Sequence, residues 1–129
     1  INEMHEKHDF NTIMVSVHGN AGGGTGFEVF TTRGETKADP IATVFFNELA
    51  REFPGQRMRA DMSDGDVDKE ANFTILMCTP PAILTENLFF DNREDAEIMA
   101  SDCGQNRIAI AHFKAMLAIN LKFNHINEI

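Results

Sequence analysis

The run Thr12-Ile13-Met14-Val15-Ser16-Val17 is apolar and rich in β-branched residues, and Asn11 and Gly19 bound it, a pattern that predicts a buried strand. Phe27-Glu28-Val29-Phe30-Thr31 alternates apolar and polar positions as a half-buried strand does, and residues 82–85 form a further short apolar strand. Between them Ile41, Val44, Phe45, Leu49 and Phe53 recur at helical spacing. Thr36 or Asp39 is available as a cap, Pro40 fits the first turn and Pro54-Gly55 stops the helix. A polar connector runs through Asp66, followed by a short ordered stretch around Phe73-Thr74-Ile75-Leu76-Met77. Asn92 with Asp95 three residues on predicts a capped helix near 93–101. Gly104 then separates it from a last helix of about 18 residues, whose apolar side is Ile108, Ala111, Ala115, Leu117 and Ile119. Residues 2–8 read as the last turns of a helix. Strands alternating with helices predict an α/β layered architecture, and 129 residues allow one domain.

Two ionisable residues stand out against this pattern. His18 comes at the end of its apolar run, just where Gly22-Gly23-Gly24-Thr25-Gly26 opens, and Glu86 comes at the exit of the 82–85 strand. Each has a plain reading, a hydrogen-bonded strand-end histidine and a solvated glutamate. Each also has a chemical one: imidazole is the commonest zinc ligand, and a carboxylate against an apolar strand is paired, metal-associated or raised in pKa. The glycine loop joins strand to strand and carries neither GK[ST] nor GxGxxG, which argues against phosphate binding.

Other candidates fail on spacing. Counted from Asp64, an EF-hand wants glycine where Lys69 stands and glutamate where Ile75 stands. His5 and His8 are three apart, not the four of HExxH, and read as surface histidines. His112 reads as a packing residue of the last helix, His125 as a tail residue, and Cys103 has no neighbouring base in sequence.

Composition narrows the partners. A net charge of −9 and a pI near 4.9 argue against nucleic acid or an anionic membrane surface. No apolar run approaches the roughly 20 residues of a membrane span. No signal peptide is visible, which says little about export, because the chain starts at Ile1 and not at methionine and an upstream segment is either removed or not included in this sequence. Cys78 and Cys103 are too few and too widely spaced for a disulfide framework or a zinc knuckle. Tryptophan and tyrosine are absent, so any stacking on a sugar falls to the 11 phenylalanines, most of them expected in the core.

Ser-Val-His-Gly-Asn-Ala at 16–21, Gly-Phe-Glu-Val-Phe at 26–30 and Pro-Ala-Ile-Leu-Thr-Glu-Asn at 81–87 with Asp91-Asn92 closely resemble the zinc-dependent N-acetylmuramoyl-L-alanine amidases in motif, order and distance. The resemblance runs from about residue 11 to residue 120. It implies an α/β fold with a mixed sheet flanked by helices, of the phosphorylase/hydrolase-like kind. It also implies that His18 is a zinc ligand and Glu86 the catalytic acid and base, acting on the amide between the lactyl group of muramic acid and L-alanine in peptidoglycan. Work at the cell envelope, periplasmic or secreted, follows.

In that family a histidine of a Gly-His-Gly-Gly strand and a glutamate on the next helix complete the metal site, and both precede the matched region. Neither motif occurs here, so residues 1–129 are expected to be the C-terminal portion of an amidase domain, with an incomplete fold, an incomplete zinc site and little activity alone. The sheet edge so exposed invites self-association. Glu70 and Arg59 lie in the segment expected beside the site and are candidates for substrate contact. The alternative is a non-catalytic peptidoglycan-binding or regulatory module of the same fold.

Overall fold

The structure, a computed structural model, describes residues 1–8 and 11–124, with side chains through Lys122. In chain order the elements are α1 (Asn2–Lys7), β1 (Met14–Asn20), β2 (Phe27–Thr31), α2 (Asp39–Glu52), β3 (Lys69–Glu70), a single 3-10 turn (Thr74–Leu76), β4 (Ala82–Phe89), α3 (Arg93–Ala100) and α4 (Asp102–Asn124). The strands form one mixed sheet in the order β1-β4-β2-β3. β1 runs parallel to β4, β2 antiparallel to β4, and β3 parallel to β2. The α/β reading with a mixed, helix-flanked sheet therefore holds.

Alternation along the strands sends side chains to two unlike faces. On one, Phe27, Val29 and Ile83 are fully buried beneath Ile41, Ala42, Phe45 and Leu49 of α2 and Ala111, Ala115 and Ile119 of α4. Burying each large side chain there is worth roughly 1.5–3 kcal/mol. Phe27 meets Phe53 at 4.8 Å between ring centroids, and Arg107 of α4 lies over the Phe53 ring at 4.2 Å, joining the two helices. The opposite face is covered over only part of its length, where Met14, Leu76, Ala82 and Leu84 pack with Phe30 and Cys78 around the 3-10 turn. Beyond them this face carries ionisable residues.

Several boundaries differ from the sequence reading for physical reasons. β4 continues to Phe89 and places Glu86 inside the strand, because pairing on both of its edges satisfies the backbone beyond Thr85. β1 likewise runs through His18 to Asn20. Gly104 lies inside the first turn of α4 and separates nothing; a Cβ there would collide with the carbonyl oxygen of Ile98, so the glycine lets α3 and α4 approach closely. Leu117 is 46% exposed and turned away from the line Ala111, Ala115, Ile119, on a side of α4 that also exposes Phe113 and Leu121. His5 is buried, its Nδ1 2.5 Å from the Thr12 hydroxyl, whereas His8 is exposed as expected. The two-residue β3, just after the polar connector that ends at Asp66, was not expected.

The cap expected of Thr36 or Asp39 is not made, since Ala38 is the N-cap of α2 and no side chain caps it; instead the Thr36 hydroxyl and amide both donate to the Asp39 carboxylate at 2.7 Å, and the Ala38 amide donates to the Thr36 hydroxyl at 3.1 Å. Other expectations are met. Asn92 caps α3 by accepting from the Asp95 amide at 3.2 Å. His112 is a packing residue, its ring against Phe45. His125 lies outside the described residues.

The connector is anchored by Asp68, 1% exposed, which accepts a hydrogen bond of 2.6 Å from the Thr31 hydroxyl. Burial pushes its carboxyl up to about 7, and the neighbouring carboxyl of Asp66 adds to the rise. Unfolded, the same group ionises near the ordinary value of about 4. As pH rises between these two values the unfolded chain gives up its proton while the folded chain keeps it, so this group's contribution to stability falls across that window. Burial depresses the pKa of His112 and acts in the opposite sense, costing stability as pH falls below its ordinary 6.5. Asp68→Asn is therefore expected to raise Tm more at pH 8 than at pH 5, measured by thermal melts of both proteins across the range; an equal shift at both would contradict the assignment.

Candidate functional site

Three ionisable residues share one row across the sheet. His18 is the register partner of Glu86 on one side, and Glu28 is its register partner on the other. Directly paired residues on neighbouring strands point to the same face with Cβ atoms about 5 Å apart, so imidazole and two carboxyls stand side by side on the sparsely covered face. The His18 ring is exposed, Glu86 half-buried and Glu28 4% exposed.

The two carboxyls have different surroundings. Glu28 receives hydrogen bonds from Arg59 Nε, from Lys69 Nζ at 2.9 Å and from Asn20 Nδ2 at 3.2 Å. Burial alone would raise its pKa, but the hydrogen bonds and charges of Lys69 and Arg59 outweigh it and hold Glu28 below the ordinary carboxylate value. Glu86 has no such cations. Burial pushes its pKa up and the charge of Glu28 adds to this, with His18 opposing, while its Oε2 is buried without a hydrogen-bond partner among the described residues. Two adjacent carboxyls are thus pushed in opposite directions, Glu28 towards its ionised form and Glu86 towards its protonated form.

The backbone beneath the row is tied to the helical layer. Asn87 Nδ2 donates to the His18 carbonyl at 2.9 Å and lies 3.0 Å from the Thr85 hydroxyl, which is 2.8 Å from His112 Nε2. His112 Nδ1 is 2.8 Å from the Ile108 carbonyl, which can only accept, so Nδ1 carries the proton and Nε2 accepts from Thr85. The chain of bonds runs from β1 through β4 to α4.

The glycine loop after β1 is clamped from below. Asp95, 1% exposed, accepts from the Thr25 hydroxyl and Gly26 amide at 2.8 Å each and from the Phe89 amide at 3.0 Å. Exposed Asp91 accepts from the amides of Gly22 and Gly23, both at 2.8 Å. Gly26, at φ +95°, leaves room for the Arg57 carbonyl that a Cβ would strike. There the strip around Met58 pairs with Phe27: the Phe27 amide donates to Arg57 and the Arg59 amide to Phe27, both at 2.8 Å. This pairing brings Arg59 to the row, its guanidinium 5.3 Å from the Phe89 ring centroid.

Of the residues singled out by sequence, His18, Glu86 and Arg59 are thus gathered in one place. Glu70 is not: it pairs with Thr31 and its carboxylate accepts from the Gly34 amide at 2.9 Å, whereas its neighbour Lys69 reaches the row. Glu28, Lys69, Asn87 and the clamping role of Asp95 escaped the sequence reading. The polar position of Glu28 inside an otherwise apolar strand was the one available signal. As a zinc centre the row is short of donors. Among the described residues no three His, Cys, Asp or Glu side chains gather as a metal-holding group, while a catalytic zinc takes three protein ligands.

The sequence profile of the N-acetylmuramoyl-L-alanine amidase family matches residues 3–118, and the chain belongs to that family. It is 37% identical over 113 residues to N-acetylmuramoyl-L-alanine amidase CwlM of Bacillus licheniformis, covering 86% of this chain and 42% of that protein. It is 33% identical over 113 residues to the endolysin of Bacillus phage SPP1, covering 85% of this chain and 41% of that one. Its fold is similar to that of N-acetylmuramoyl-L-alanine amidase AmiC2 of Nostoc punctiforme, with a TM-score of 0.76 at 25% identity over 93% of this chain and 63% of that one. The chain thus spans less than half the length of the two sequence relatives.

The clamps predict different responses. Asp95→Ala removes a buried carboxylate with three partners and is expected to cost roughly 3 kcal/mol, with loss of hydrogen-exchange protection at the Gly26 and Phe89 amides. Asp91→Ala is expected to leave Tm nearly unchanged and to free only the Gly22 and Gly23 amides. Equal destabilisation by both would contradict the picture of a firm base and a surface-held tip.

Proposed function

We propose that this chain acts in peptidoglycan hydrolysis as part of an N-acetylmuramoyl-L-alanine amidase, cleaving the amide between the muramic acid lactyl group and L-alanine at the cell envelope, in a periplasmic or secreted setting. The observation that carries the reading is the register row: an exposed imidazole beside a half-buried carboxyl whose pKa is raised, with a compensated carboxylate behind it. Glu86, ionised, takes a proton from the attacking water as its oxygen bonds to the carbonyl carbon. It then returns that proton to the alanine nitrogen as the carbon–nitrogen bond breaks. Glu28, already paired with two cations, keeps its charge throughout.

His18 is the residue here that would ligate zinc, which when bound polarises the carbonyl and acidifies water. One imidazole with a carboxyl beside it does not make a three-ligand centre, and the proton path above does not run through the metal. The second reading is a non-catalytic peptidoglycan-binding or regulatory module of the same fold.

The test is the release of free L-alanine amino groups from purified peptidoglycan, with and without added zinc. Glu86→Gln is expected to slow release by about 10²–10⁴-fold while binding to sacculi persists. His18→Ala is expected to lower zinc content measured by plasma mass spectrometry. Binding without release in the unsubstituted protein would favour the second reading.

The outer edge of β1 has no strand partner among the described residues, and the exposed apolar residues of α4 include Phe113, Leu117 and Leu121. This fits association of two copies along that edge. Sedimentation is expected to show a concentration-dependent dimer that Val17→Lys, at the edge, weakens; a monomer at all concentrations would end that expectation.

A further inference from the structure

Around Glu28 the cations of this face are concentrated. In a chain of net charge −9, two cations, Arg59 and Lys69, converge on a single buried carboxylate. Exposed Asp61, whose pKa the charge of Lys69 helps to lower, and Glu86, the register neighbour of Glu28, are the other carboxyls close to this pair of cations. No hydrogen bond or ion pair joins either cation to Glu86 among the described residues, so both are held by direct contact with Glu28.

The donors are also unevenly used. Arg59 spends its Nε–H on Glu28, and its two terminal nitrogens have no acceptor among the described residues. Lys69 commits one of its three N–H groups. Both side chains are about a quarter exposed, at 27% and 26%. The guanidinium is held on one edge by Glu28 and rests against the Phe89 ring, so its orientation is set before any ligand arrives. A fixed, quarter-exposed guanidinium with its two terminal nitrogens free is the arrangement that matches a carboxylate, and its ordering cost is already met within the fold.

We propose that Arg59, with Lys69 beside it, is a specificity-determining residue that recognises a carboxylate of the stem peptide next to the scissile alanine, so that stems with a free carboxylate at the following residue are preferred over stems amidated there. Glu28 is the positioning residue that aims both cations. This rests on the amidase reading above and adds to it which stem chemistry the site selects.

Two small probes differ in that one group: muramoyl-L-alanyl-D-isoglutamate and muramoyl-L-alanyl-D-isoglutamine. The expected result is a kcat/KM ratio of about 10- to 100-fold in favour of the free carboxylate, carried mainly by KM and shrinking as salt is raised. Arg59→Gln should bring the ratio close to one. Arg59→Lys, which keeps the charge but loses the fork and spares the fold if the glutamine variant does not fold, should retain only part of the preference, and Lys69→Gln should also reduce it. Calorimetric titration of both probes into Glu86→Gln protein reads the same preference without turnover. A calorimetric preference with no hydrolysis of either probe by the unsubstituted protein would favour the non-catalytic reading of this chain and leave carboxylate recognition standing. Equal affinity and equal rate for the two probes, or a ratio untouched by the Arg59 and Lys69 substitutions, would overturn the recognition proposal itself.

Discussion

Because β4 is hydrogen-bonded to β1 along one edge and to β2 along the other, a slip of one residue in either pairing would turn the partner of Glu86 to the helix face. The register is held by burial on both sides. Ile83 and Thr85 are locked under the helices, while Ala82 and Leu84 pack against the 3-10 turn, so a shifted strand would send apolar groups to water and polar groups into the core. The alignment of His18, Glu86 and Glu28 is therefore a consequence of core packing several residues away. Asn87 reinforces it by tying the His18 carbonyl to Thr85 and so to α4.

Placing two carboxyls on neighbouring strands creates an electrostatic problem, since like charges directly opposite repel. The fold resolves it asymmetrically. Arg59 and Lys69 arrive from the connector after α2, where pairing with Phe27 fixes the first and β3 fixes the second, and both go to Glu28. Glu86 is left with burial and a negative neighbour, which favour its protonated form, and with His18, which opposes them. The different environments of the two carboxyls thus follow from which of them the connector reaches. That gives the two-residue β3 a purpose beyond its length.

The layered architecture, α2, α3 and the strand cores were legible in the sequence because each rests on local signals: alternation, helical spacing, a capping pair. His18 and Glu86 were legible as chemistry out of place against apolar runs. Their positions within the strands were not, since strand length here is decided by hydrogen bonding to neighbours distant in sequence. The same reason hid Glu28, whose partners lie 31 and 41 residues away. Gly104 misled because a glycine required for close packing of two helices looks, in one sequence, like a glycine that ends a helix.

The rim of the site follows a different physical rule from its floor. Asp95 is buried and satisfies one hydroxyl and two backbone amides, so freeing any of them exposes a polar group with no water at hand. Asp91 holds the amides of Gly22 and Gly23 in the open, where water can replace the carboxylate at little cost, and both glycines have positive φ with no side chain to hold the tip in place. The loop is consequently fixed where it enters β2 and loosely held where it leaves β1. The floor thus keeps its side chains in register while the rim can yield. Here two aspartates four residues apart, differing in burial, supply both properties to a single glycine loop.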